Sequence, residues 1–290
     1  MTSNTETGAP LTPGELFRAY QHRTKKRFGQ HFLVDPQILD EITVHADIQS
    51  GDQVFEIGPG CGTLSLMLLR RGATVKAVEL DRDAAAFLRE SLEPHYPFEL
   101  VEADAMSVDF DELLGAQEVP WKVVANLPYN VGTEILFRLL EEGGGRLESM
   151  TLMFQREVAQ RIVATAGEDG YGALSLMVQL HSEVHYGMTL APGAFVPPPK
   201  VHSAIVQFLP IRGTRIEDPI LRKRFKKIVK GAFQMRRKTL TNGLRALGYE
   251  KDVVEGHLKA MGLGAKVRPE RISFEDFEAL TRRLHDGDEE

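Results

Sequence analysis

The chain has 290 residues, enough to bury most of its apolar surface in one large domain with a small one beside it, or in two. Its single cysteine, Cys61, excludes an intrachain disulfide and the four-cysteine metal frameworks, a pattern that fits a reducing cytosol. The net charge of -6 excludes a uniformly basic nucleic-acid binder, yet cations gather at Arg23, Lys25, Lys26 and Arg27 and again over residues 222–238.

Residues 1–15 are rich in Thr, Gly and Pro and lack the basic and apolar regions of a signal peptide. The expected organisation is a disordered tail over residues 1–24, a Rossmann-like α/β domain over 25–210 and a small all-helical domain over 211–290. From about residue 50 to 155, β-rich runs at 53–57, 74–80, 98–102, 121–125 and 150–154 alternate with helical patterns around Leu64–Leu68 and Ala84–Leu88. This alternation predicts a parallel sheet with helices on both faces. Gly143-Gly144-Gly145 closes a further helix before the fifth run. Stretches 184–190 and 204–209 flank a proline-rich loop over 192–200 and predict an antiparallel addition at one sheet edge. Beyond Pro210 the pattern is helical and cationic to about Leu247, then helical with mixed charge. No apolar run reaches the length that spans a bilayer. His181 and His185 lack the adjacent Glu of a metalloprotease motif, so they read as surface or packing residues and no metal site is expected.

Glu56-Ile57-Gly58-Pro59-Gly60-Cys61-Gly62-Thr63 follows the first long strand and opens a helix, the position where an α/β sheet binds a nucleotide-like ligand. Its Gly-x-Gly-x-Gly spacing departs from the dinucleotide fingerprint and suits a pyrophosphate less well. Glu79 ends the next strand, 21 residues after Gly58, where a carboxylate accepts hydrogen bonds from both ribose hydroxyls. Asp104 ends the third, placed to accept from an adenine amine. The alternative is that Glu79 and Asp104 only cap helices. In register with the glycine loop, the pair instead describes a pocket for an adenosine without phosphates, and S-adenosyl-L-methionine is the common cofactor of that kind. Asn126-Leu127-Pro128-Tyr129 ends the fourth strand and offers an amide, free carbonyls and an aromatic ring to a planar amine.

Taken together, Arg27-Phe28-Gly29-Gln30-His31-Phe32-Leu33, Glu56-Ile57-Gly58-Pro59-Gly60, Glu79-Leu80-Asp81, Asn126-Leu127-Pro128-Tyr129-Asn130, the Phe195 to Ala204 stretch with its Pro197-Pro198-Pro199-Lys200-Val201 core, and Arg236-Arg237-Lys238-Thr239-Leu240 resemble the rRNA adenine dimethyltransferases. The resemblance runs from about Lys25 to the last helices. It implies dimethylation of the exocyclic amine (N6) of two adjacent adenosines in the 3'-terminal hairpin of 16S rRNA during assembly of the small ribosomal subunit. It implies His31 and Leu33 lining the cofactor pocket, Gly58 at the methionine part, Glu79 at the ribose, Asp104 at the adenine and Asn126 between cofactor and target. The implied partners are 16S rRNA and the immature 30S subunit, for a cytoplasmic monomer with no membrane and no metal. Two positions depart from the family pattern: His31 where Asn is usual, and Gly243 where Ser is usual, which predicts a looser helix there.

For the chemistry, Asn126 is expected to grip the amine, Tyr129 to stack on the flipped base and Phe195, beside the rigid prolines, to form a second stacking surface; the plain alternative for Phe195 is a core contact beneath its loop. Nine cations without an intervening acid over residues 222–238 predict phosphate contact rather than a merely solvated face. Competing readings are a 23S rRNA adenine methyltransferase of the macrolide-resistance type, a non-catalytic assembly factor and a DNA adenine methyltransferase.

Overall fold

The structure, a computed structural model, describes residues 12–23, 31–115, 119–235 and 238–286. Lys25, Lys26, Arg27, Arg236 and Arg237, named above as basic residues, lie outside them. The chain forms two compact units, one running to Arg156 and including His185–Pro210, the other built from Glu157–Val184 and the residues after Pro210.

The first unit opens with α1 (Pro13–Arg23). A disordered tail was expected here, and the helix forms because Leu16, Phe17 and Tyr20 fall on one face and bury it. Its start is a capping box: Thr12 Oγ1 accepts the N–H of Glu15 at 3.3 Å and the Glu15 carboxylate accepts the N–H of Thr12 at 2.7 Å, with Pro13 at the first helical position. There follow β1 (Phe32–Leu33), α2 (Pro36–His45), β2 (Gln53–Ile57), α3 (Thr63–Arg70), β3 (Thr74–Glu79), α4 (Arg82–Ser91), β4 (Phe98–Glu102), α5 (Phe110–Leu114), β5 (Trp121–Asn126), α6 (Gly132–Glu142) and β6 (Leu147–Gln155). After α7 (Arg156–Val163) and α8 (Ala173–Gln179) come β7 (Ser182–Leu190), β8 (Phe195–Val196) and β9 (Ser203–Pro210).

Seven strands form one sheet in the order β4-β3-β2-β5-β6-β9-β7, and β1 pairs separately with β8. The pairs from β4 to β6 are parallel, and β9 joins β6 antiparallel, as the alternation and the late β-like stretches predicted. Val54, Phe55, Val75, Ala77, Val123 and Val124 are buried because helices cover both faces, which is why these strands read as continuous apolar runs. The chain order reverses between β2 and β5, so their carboxyl ends flank a crevice, the usual ligand position in such a sheet.

The second unit contains α7, α8, α9 (Pro219–Gln234), α10 (Leu240–Arg245), α11 (Lys251–Ala260) and α12 (Phe274–Asp286). It takes in residues 157–184, which the expected boundary at 211 had left in the α/β domain. The cause is contact between residues far apart in sequence: the Tyr171 hydroxyl donates to the carbonyl of Ile272 at 2.8 Å, and its ring meets Phe233 edge-on at 6.3 Å. Gly243 tightens this unit instead of loosening it. A Cβ there would lie 3.0 Å from Cα of Ala232, so the missing side chain lets α10 approach α9 closely.

Candidate active site

The crevice at the carboxyl ends of β2, β3 and β5 opens into a cavity lined by His31, Leu33, Glu56, Gly58, Glu79, Asn126 and Tyr129, among others. Six residues expected at the site, His31, Leu33, Gly58, Glu79, Asn126 and Tyr129, therefore meet in one place.

The glycine loop is built by backbone geometry. Gly58, Gly60 and Gly62 all have positive φ, at 67°, 57° and 80°, which side chains other than glycine's rarely tolerate. A Cβ on Gly58 would meet nothing within 4 Å, so this residue leaves open space on the cavity side, whereas one on Gly60 would lie 3.2 Å from the ring of Phe32. Thr63, the first residue of α3, donates from Oγ1 to the carbonyl of Leu33 at 2.7 Å and so ties the loop to β1.

Glu79 is buried, and its carboxylate accepts from Gly60 N at 2.9 Å and Asp81 N at 2.8 Å. Burial raises its pKa, while those two N–H donors act in the opposite direction. Capping is not its task, because Asp81 caps α4 and Asp109 caps α5. Glu56, two residues before Gly58, is the group that sequence reading left without a role. Burial pushes its pKa up to about 8; the Ser65 hydroxyl beside it acts in the opposite direction, and the neighbouring Glu79 carboxylate adds to the rise. Its Oε2 is buried with no hydrogen-bond partner among the described residues. Burial likewise pushes the Cys61 thiol up to about 11, so it stays protonated and is no nucleophile.

At the other wall, Asn126 donates from Nδ2 to the carbonyl of His31 at 3.4 Å. A carbonyl only accepts, so this bond fixes the amide orientation and leaves Oδ1 as an acceptor. His31 donates from Nδ1 to the carbonyl of Pro197 at 2.7 Å, so it serves as the donor that Asn would have been, and its ring stacks on Tyr129 at 6.3 Å and 26°. The Tyr129 hydroxyl bonds Ser203 Oγ at 2.6 Å. Ser203 was part of the proline-rich motif but had no assigned role; its burial and its partner show that it holds the Tyr129 ring in place.

Two expected site residues, Phe195 and Asp104, are not among those lining the cavity. Phe195 is only 2 % exposed and packs in the core with Leu33, Leu190 and Ile205, so it presents no face for stacking. Strand alternation decides this: Phe195 points inward while the next residue, Val196, is 37 % exposed. Asp104 lies beyond the end of β4 and is not among the cavity-lining residues. Its Oδ1 accepts from Met106 N at 2.8 Å, and its neighbour Ala103 donates to the carbonyl of Glu79 at 3.0 Å.

The site suits a nucleoside cofactor bearing an amino acid. A glycine loop without a phosphate-binding spacing gives close backbone approach, Glu79 is a buried carboxylate, and the orphaned Glu56 Oε2 is a polar atom awaiting a ligand partner. Fold and cofactor chemistry together define a Rossmann-like, S-adenosylmethionine-dependent methyltransferase. The profile of the ribosomal RNA adenine dimethylase family matches residues 21–285. The ribosomal RNA small subunit methyltransferase A of Nitrosococcus oceani is 42 % identical over 261 residues, covering 90 % of this chain and 96 % of that one. Its counterpart in Clostridium acetobutylicum is 37 % identical over 93 % of this chain and 97 % of its own. Among solved structures, a dimethyladenosine transferase from Plasmodium falciparum superposes with a TM-score of 0.73 at 25 % identity, covering 88 % of this chain and 98 % of its own. The 23S rRNA methyltransferase ErmE gives 0.69 at 26 % identity, covering 88 % and 99 %. The chain belongs to the ribosomal RNA adenine dimethylase family.

Proposed function

We propose that this enzyme dimethylates N6 of two adjacent adenosines in the 3'-terminal hairpin of 16S rRNA, acting in the cytoplasm on immature small subunits. The observation that carries the reading is that Asn126 to Tyr129, the glycine loop and Glu79 line one cavity. The small-subunit substrate is favoured over the large-subunit one because relatives named for the small subunit reach 42 % identity, against 26 % for the 23S enzyme.

Bound in the cavity, S-adenosylmethionine supplies an electrophilic methyl group. Glu79 would hold the ribose, Gly58 would admit the methionine part and Asp104, two residues past the end of β4, would receive the adenine amine. The target amine is a poor nucleophile because its lone pair is delocalised into the ring. Asn126 Oδ1 and one backbone carbonyl, of Leu127 or Pro128, accept the two N–H bonds of that amine, draw them out of the ring plane and stabilise the charge that develops on nitrogen. Pro128 O also accepts from Val131 N at 3.2 Å, a turn that holds these carbonyls ahead of α6. Tyr129, held by Ser203, stacks on the base once it has left the helix. The proton goes to solvent, so no side-chain base is required. Digestion of treated small-subunit rRNA to nucleosides tests the reading: N6,N6-dimethyladenosine is expected with the parent, and its absence refutes it.

A further inference from the structure

We propose that Arg138 is a positioning residue that couples the loop carrying Asp104, at the proposed adenine end of the cofactor site, to the helix that follows the target-gripping motif. Arg138 stands on α6, which begins three residues after Tyr129, and its side chain is mostly buried. One edge of its guanidinium grips Glu142 in a two-point fork, with Nε on Oε1 at 2.8 Å and Nη2 on Oε2 at 2.7 Å. The other side reaches into the loop after β4: Nη1 donates to the carbonyl of Ala105 at 2.7 Å, and Nη2 donates to that of Val108. The same group lies over the ring of Phe110, 4.9 Å from its centre, and Phe110 meets Phe55 of β2 edge-on at 5.9 Å.

Those contacts hold the turn that follows Asp104 directly in the chain. The loop is closed from within, as the Asp104 carbonyl accepts from Ser107 N and Val108 N. It is fixed from outside by Arg138 alone among the side-chain donors described for residues 105 and 108. A planar fork with several donors spans two carbonyls and a carboxylate at once, and the compact ammonium of a lysine reproduces this only in part. The inference rests on the proposed placement of adenine against this loop.

Calorimetric titration with S-adenosylhomocysteine tests it. Arg138→Met, which keeps the stem and removes the fork, is expected to weaken binding about tenfold, the scale of one lost charge-assisted hydrogen bond, with unchanged stoichiometry and unchanged affinity for RNA. Combined with Asp104→Ala, the loss is expected to fall short of the product of the single losses, because both act through one loop. Arg138→Lys is expected to fall between and serves if the Met variant does not fold. Parental affinity in Arg138→Met, or in Arg138→Lys where that variant stands in, overturns the proposal, as do fully multiplicative losses. Parental affinity in Asp104→Ala with weakening in Arg138→Met refutes only the adenine role of Asp104 and leaves Arg138 acting through the loop backbone.

Discussion

Asn126 and Glu56 line one cavity, from the neighbouring strands β5 and β2, and have different chemical states to maintain. Asn126 must keep Oδ1 free, which its bond to His31 O secures. Asn126→Ala is expected to slow single-turnover methyl transfer by ~100-fold, the scale for losing a preorganised polar contact to a transition state, with RNA affinity nearly intact. Transfer at the parental rate refutes the amine-gripping role. Glu56 must keep its proton. Its carboxyl titrates at about 8 when folded, against an ordinary value of 4.5. Between those values the folded chain retains a proton that the unfolded chain has released, so stability attributable to this group falls as pH rises from about 4.5 through about 8. Glu56→Gln is expected to flatten that decline in denaturant titrations run across the window. An unchanged slope shows that Glu56 is ionised in the folded state.

At the scale of elements, α9 separates two kinds of cation that look alike in sequence. Arg222 donates to Thr214 Oγ1 at 2.8 Å and Arg224 to the carbonyl of Leu284 at 3.0 Å, so both serve the packing of their own unit. Lys223, Lys227 and Lys230 are exposed at a spacing of four and three residues, one stripe along the helix. Replacing these three by Gln is expected to weaken RNA binding and reduce the slope of log affinity against log salt by about 2 to 3, while cofactor affinity holds. An unchanged slope makes the stripe a solvated face. Element by element, the strands were legible because burial on both faces leaves continuous apolar runs, and α3 and α4 because their apolar spacing repeats. The capping box Thr12-Pro13-Gly14-Glu15 was equally legible, but the Gly and Pro content of the first residues pointed to a tail. Phe195, Ser203 and Arg138 were not legible, since their roles depend on which way a strand faces or on partners as far as 74 residues away, as for Ser203 and Tyr129.

For the whole molecule, the placing of the glycine loop, Glu79 and Asn126 at the ends of β2, β3 and β5 was readable because a parallel sheet brings the carboxyl ends of its strands to one edge. The make-up of the helical unit was not, because Tyr171 and Ile272 are 101 residues apart and no local pattern announces their contact. What the molecule as a whole must do is choose a substrate. The most direct test offers the protein labelled S-adenosylmethionine with immature small subunits and, separately, with 23S rRNA, followed by mapping of the labelled nucleotides. The account predicts label on two adjacent adenosines near the 3' end of the small-subunit RNA and none on 23S rRNA; label confined to 23S rRNA, or on neither, contradicts it.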